Sequence, residues 1–465
     1  MGIAKELASR IVSFKFSDID DDALQWAKWG ILDTVGVTLA GFSEGCTQII
    51  EQMHAADGTP EGGPALLFGS GKRASVLNAA EINGVASHAL DFDDCNNTLG
   101  GHPSAPILPG LIALAEARKA SGKDVIAAYL IGFETETAIA RVVHFHHYEK
   151  GWHPTATLGT FGAAAAACHL MGLDEEKTAV ALGLAVSLAA GVKANFGTMT
   201  KPLHVGETTR NGLAAALLAE QGFTANPGAF EHSQGFLELF NGEGNYDTSR
   251  LLEGWADPFD IVSPGLAIKK YPCCGSTHSA IDAMLALREK HGLNGDNVTE
   301  IISHTHPRRL KHTNRPNPQT SLDAKFSVQY TMARALVDGR VIVDNFEGDA
   351  INDKHIRDVM TRITANSRPH TEPDEHFFAE VSVTTKSGET FTQWIQQPQG
   401  RGPKYPLPDG ALKAKFEGCA ERVLTAVGVE QLHACIEGLE TADDINTMTA
   451  LIEKNRIDTP HQRVA

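Results

Sequence analysis

The chain has 465 residues, and its 40 lysines and arginines against 57 aspartates and glutamates give a net charge of −17. So acidic a surface repels phosphate backbones and excludes nucleic acid as an expected partner. With 42% hydrophobic and 21% charged residues, the composition is that of a folded protein of two or three domains, large enough to bury a core without disulfides.

The stretch from Met1 to Asp20 reads as an amphipathic helix followed by acids, not a signal peptide. The seven cysteines are odd in number and form no C-x-x-C pair, which places the chain in a reducing, cytoplasmic compartment. The longest apolar runs, Phe161 to Leu170 and Ala179 to Val192, are too short to span a bilayer, so no membrane is expected. Asp20 to Leu39 sets Leu24, Ala27, Ile31, Val35 and Leu39 on one stripe, with Ser17 or Asp18 as the expected N-cap. Further helices are expected over 106–121, 123–144, 155–172, 174–192 and 203–221, closed by Gly122, Gly172 and Gly222. The pattern changes near residue 257. Short strand-like runs at Phe259 to Val262, Val298 to Thr305, Val341 to Val343, Phe377 to Thr385 and Thr390 to Ile395 alternate with helical patterns at 277–290, 321–337 and 351–362. Helices return at 410–427 and 440–454 after a Pro/Gly-rich joint, Pro398 to Pro408. The expected fold is mainly α with an α+β insertion: a discontinuous all-helical domain over 1–256 and 398–465, and a smaller α+β lid over 257–397. The cleft between the two is the expected active site.

Three features carry chemistry. Four cationic or titratable side chains stand at or next to a proline: His102-Pro103, His153-Pro154, Lys201-Pro202 and Lys270-Tyr271-Pro272. Proline suits the first turn of a helix, where backbone N–H groups favour anions, so several such ends together suit a small polycarboxylate. Any one X-Pro, read alone, merely starts a helix. The segment Ser87-His88-Ala89-Leu90-Asp91-Phe92-Asp93-Asp94 crowds three carboxylates into four residues. At least one should have a raised pKa useful for proton transfer, with His88 and Asp91 on one helical face. A divalent cation, a proton-initiated terpene cyclase and a solvated helix end are the rival readings. The third feature is Lys269-Lys270-Tyr271-Pro272-Cys273-Cys274-Gly275-Ser276-Thr277-His278. Lys269 is a candidate base or carboxylate clamp, Cys274 a candidate nucleophile or buried thiol, and His278 a candidate core histidine. Gly69-Ser70-Gly71-Lys72-Arg73-Ala74 fits a loose G-x-G-x-x-A but lacks a βαβ context, so a surface turn is expected there.

Taken together, SHALDFDD and HPSAPILP within 87–109, GWHPTATLGTFGAAAAA at 151–167, KPLHVGETTRNG at 201–212, KKYPCCGSTH at 269–278 and FSVQY at 326–330 make the sequence resemble the MmgE/PrpD family. The resemblance implies a helical domain built from both termini, an α+β lid, a homodimer, and a site needing neither metal nor organic cofactor. It places functional roles on Asp91, His102, His153, Lys201, Lys269 and Tyr330, all but Lys201 read as catalytic; Lys201, together with His204 and Cys274 in the same motifs, is a substrate-binding candidate. Its members share proton removal alpha to a carboxylate, or an equivalent carbanion stabilised by cations. Length and overall likeness favour epimerisation of iminodisuccinate, with 2-methylcitrate dehydration as the alternative. Decarboxylation of cis-aconitate and a non-catalytic polycarboxylate-binding role follow. The decarboxylase branch carries Thr where Cys95 falls and His near Cys274.

Overall fold

Residues 2–57, 62–368 and 376–457 are described by a computed structural model of the chain. They divide into two units. One holds the chain up to Ala89, Asp93–Ile268 and the segment from Leu412, and the other holds Leu90–Phe92 and Lys269–Ala411.

The first unit is helical almost throughout. Ile3–Ser13, Asp21–Gly41, Gly45–Ala56, Val76–Ala89, Leu108–Arg118, Gly122–Val143, Gly159–Leu170, Glu175–Leu188 and Thr200–Glu220 are its longer helices before Ile268. Thr200–Glu220 packs on both Val76–Ala89 and Gly159–Leu170, and Gly159–Leu170 packs on Gly122–Val143. Small residues allow these approaches. A Cβ at Gly84 would lie 2.9 Å from Gly206 Cα, and one at Gly132 would lie 2.7 Å from Gly162 O, so larger side chains would force the helices apart. Asp20, not Ser17 or Asp18, caps Asp21–Gly41 by accepting the N–H of Ala23. Gly172 and Gly222 take left-handed φ as expected. Gly122 instead begins a helix capped by Ser121, because Lys119 closes the preceding one. The Gly69–Lys72 stretch is the turn of a two-stranded hairpin, Ala65–Leu66 with Arg73–Ala74.

The expected strand at 259–262 is a kinked helical turn, Ile261–Gly265. Residues 257–268 stay with the helical unit because Asp260 is anchored there. Its N–H donates to Glu134, and its carboxylate accepts from Asn96 Nδ2 at 2.9 Å and pairs with Arg141. Leu266–Ala267 then pairs antiparallel with Cys95–Asn96. The division after Ile268, rather than near 256, follows from those bonds.

The second unit is a four-stranded sheet with helices. Its strand order is Ile363–Ser367, Val298–Thr305, Ala379–Thr385, Thr390–Ile395; the first pair is parallel and the others antiparallel. Along Ala379–Thr385 every second side chain is buried, the period of a sheet with one face covered. His278–His291 and Val328–Asp338 cover that core with Ile281, Met284, Met332 and Leu336. The expected strand at 341–343 is loop leading into a tight turn, Val343–Phe346, and the expected 321–337 helix breaks into Ser321–Ala324 and Val328–Asp338 because Ser327 caps the latter. Among the described residues no helix is long and apolar enough to cross a membrane.

Candidate active site

In the first unit, buried imidazoles gather around one carboxylate. Val76–Ala89 ends just past His88, whose Nδ1 lies 2.8 Å from Asp93 Oδ2. The same oxygen lies 3.1 Å from His102 Nδ1. An ionised carboxylate only accepts, so both imidazoles present N–H to it at Nδ1. His88 Nε2 meets no hydrogen-bond partner among the described residues. The rings of His88 and His102 meet edge to face at 4.6 Å, and His102 N–H donates to Thr155 Oγ1 at 3.0 Å. Burial, opposed by Asp93 and reinforced by Lys201, pushes His88 down to about 3. Burial pushes the Asp93 carboxyl up, but His102 and His88 outweigh it and hold it well below the usual carboxylate range.

His153 stands at the N-terminal end of the short helix Pro154–Thr157 without capping it through its side chain, and its Nδ1 lies 3.2 Å from His204 Nδ1. Burial and then the Lys201 charge hold both imidazoles neutral. Lys201 is itself buried, with Nζ 5.4 Å from the Phe196 ring centre. His204 also lines a cavity of about 280 Å³ with Leu188, Val192, Leu203, Glu207 and Asn211. The structure thus brings His102, His153, Lys201 and His204 into one unit with His88 and Asp93. Of the four proline-adjacent positions, only His153 and Lys201 stand at a helix start. His102 precedes turns that lead to Leu108–Arg118, and Lys270 Nζ is drawn off to Gln399 and Asp282.

The carboxylates of the Asp91–Asp94 run part company. The helix stops at Ala89 and Asp91 turns left-handed at φ 52°, so His88 and Asp91 do not share a helical face. Asp94 is fully buried and accepts from Ser104 Oγ at 2.5 Å, and Ser104 Oγ lies 2.5 Å from Tyr129 Oη. Burial, with Asp33 nearby, raises its pKa well above the ordinary value; the neighbouring Asp93 adds less than either.

In the second unit, Lys269 Nζ lies 3.1 Å from Asp91 Oδ2 and donates to Asp91 O at 2.6 Å. Burial pushes the Cys274 thiol up and the Cys273 thiol up to about 12, which suits neither to act as a thiolate. His278 is a core histidine: its Nε2 lies 3.2 Å from Cys273 O, and burial pushes it down to about 3. Tyr330 is wholly buried in the core of this unit, its hydroxyl donating to Asn345 O and accepting from Arg334 Nε at 3.0 Å. Sequence reasoning missed Asp93 as the shared partner of two histidines. The signal available was Asp93's place in the acidic run, five residues after His88.

Residues 5–249 match the MmgE/PrpD N-terminal domain and residues 271–441 the MmgE/PrpD C-terminal domain. Cis-aconitate decarboxylase of Homo sapiens is 32% identical over 97% of this chain and 94% of its own length. Cis-aconitate decarboxylase of Aspergillus terreus is 27% identical over 97% of the chain and 96% of its own. The mitochondrial 2-methylcitrate dehydratase of Yarrowia lipolytica is 22% identical over 91% and 86%. With both domains matched in order and likeness running nearly end to end, the chain belongs to the MmgE/PrpD family.

Proposed function

We propose that this enzyme is a lyase of small polycarboxylates, with cis-aconitate and release of carbon dioxide as the first reading. The observation that carries the reaction class is the single Asp93 oxygen shared by His88 and His102. That arrangement fixes the tautomer of His102 and stabilises it when it takes up a proton, the requirement for a general acid–base group. Lys201 supplies positive charge that a tricarboxylate substrate and a carbanionic intermediate need. In the second unit, Asp91 and Lys269 form the other pair proposed for proton transfer, and Asp91 is two residues along the chain from Asp93. Decarboxylation then breaks a carbon–carbon bond, leaves its electron pair on the substrate, and requires a proton from one of these groups. The substrate rests on the decarboxylases that match 97% of this chain.

Dehydration of 2-methylcitrate is the second reading, supported by the dehydratase relative. Epimerisation, favoured by the chain's length and overall likeness, gives way, because the relatives reported above are lyases. The test is incubation of the purified protein with cis-aconitate, 2-methylcitrate and iminodisuccinate, followed by proton NMR and carbon dioxide detection. Carbon dioxide from cis-aconitate supports the first reading and water loss from 2-methylcitrate the second. Inversion of iminodisuccinate alone contradicts both.

A further inference from the structure

Two buried lysines of the second unit grip successive carbonyls of one short segment. Lys269 Nζ donates to Asp91 O at 2.6 Å, and Lys325 Nζ donates to Leu90 O at 3.0 Å. Between those carbonyls the backbone passes through Asp91 at φ 52°. That left-handed conformation is disfavoured for a residue with a Cβ and persists only where its surroundings impose it. Lys325 ranks among the largest fully buried side chains, under 2% exposed, with Nζ 6.0 Å from the Phe346 ring centre. An ammonium in such a place forfeits its hydration, and an apolar side chain of similar length would serve the core better. The backbone of Lys325 also accepts the N–H of Cys274 at 3.0 Å, tying the same residue to the loop after Lys269.

We propose that Lys325 is a positioning residue that acts through Asp91, clamping Leu90 O so that Asp91 is held left-handed with its carboxylate against Lys269. This rests on the proposed proton-transfer role of Asp91 and Lys269 and adds to it a residue outside the pair. What Lys325 sets is where the Asp91 carboxylate stands.

The test is a double-mutant cycle on the full chain with whichever polycarboxylate is turned over. Lys325→Met should lower kcat at least tenfold, with KM changed less than threefold and the melting temperature held or raised. In an Asp91→Ala background the same change should cost nothing further, because the group it positions is gone. Wild-type kcat in Lys325→Met, or losses that multiply in the double variant, would overturn the proposal. If Lys325→Met does not fold, Lys325→Leu, which likewise removes the donor, enters the same cycle with the same criteria. A crystal structure of the folded variant is independent of turnover. Asp91 leaving the left-handed region, or its carboxylate leaving Lys269, supports the proposal even if no lyase activity is found; an unmoved Asp91 overturns it.

Discussion

Asp93→Asn removes one charge from the imidazole cluster and almost nothing else. The Asn oxygen can occupy the place of Asp93 Oδ2 and still accept from both Nδ1–H groups, leaving its NH₂ where Asp93 Oδ1 has no hydrogen-bond partner. The folded state then exchanges two charge-assisted hydrogen bonds for neutral ones and buries one unsatisfied donor, but it no longer buries a carboxylate. These effects oppose one another, and the net loss should be about 1–3 kcal/mol, a few degrees in Tm. Turnover suffers more. An imidazolium formed at His102 is stabilised by the Asp93 charge across about 4 Å, worth about 4 kcal/mol at an effective dielectric constant of about 20. At 1.36 kcal/mol per decade, kcat should fall about 10³-fold, within the range expected for a positioned acid–base group. The assay is steady-state turnover beside a thermal melt of the same preparation. A folded Asp93→Asn protein with kcat within threefold of wild type would refute the reasoning.

Stability should fall steeply in acid. His88, His147 and His278 are buried and pushed down to about 3, so below about pH 6.5 the unfolded chain binds protons that the folded chain refuses. Burial raises Glu134 to about 8 and raises Glu136, so these bind protons when folded between about pH 4.5 and their folded pKa and oppose the histidines there. His153 is likewise lowered well below its ordinary value, so calorimetry should show stability falling from pH 6.5 downward and most steeply below about pH 4.5, by about 5 to 6 kcal/mol per pH unit from four histidines at about 1.4 each; a flat profile to pH 3.5 would contradict this. Exhaustive chelation should leave turnover within twofold, because Asp91, Asp93 and Asp94 are already engaged by Lys269, the two histidines and Ser104; loss restored by Mg²⁺ would overturn it. The helix Gly45–Ala56 exposes Ile49 at 57% and Met53 at 50%, one turn apart, a face suited to a second copy. Sedimentation should give twice the 49.8 kDa chain mass, and Ile49→Glu with Met53→Glu should shift it toward monomer; a wild-type monomer at micromolar concentration would refute the dimer.

Long helices were legible because their apolar spacing is local information. Gly45–Ala56 was not, since its inward face is Thr47, Ile50, Glu51 and His54, with one large apolar residue, while Ile49 and Met53 face outward. Phe259 to Val262 reads as a strand by residue type, yet the bonds of Asp260 to Glu134, Asn96 and Arg141 are long-range and bend it into a turn. Prolines flagged His153 and Lys201 because X-Pro marks helix starts. The pairing of His88 with Asp93 depends on the chain reversing at a left-handed Asp91, which no periodicity reveals. Lys325 looks in sequence like any solvated lysine, and only burial marks it out. Tyr330, placed by resemblance among the catalytic residues, has its hydroxyl committed to Asn345 and Arg334 within a core.

The most direct test of the central claim is proton NMR of cis-aconitate with the purified enzyme in D₂O, with carbon dioxide collected from the same tube. A lyase working through a protonated imidazole or lysine predicts stoichiometric carbon dioxide and one solvent deuteron on the carbon that receives the electron pair. Neither carbon dioxide nor water released from any polycarboxylate, with or without exchange of its carbon–hydrogen bonds, would contradict the account.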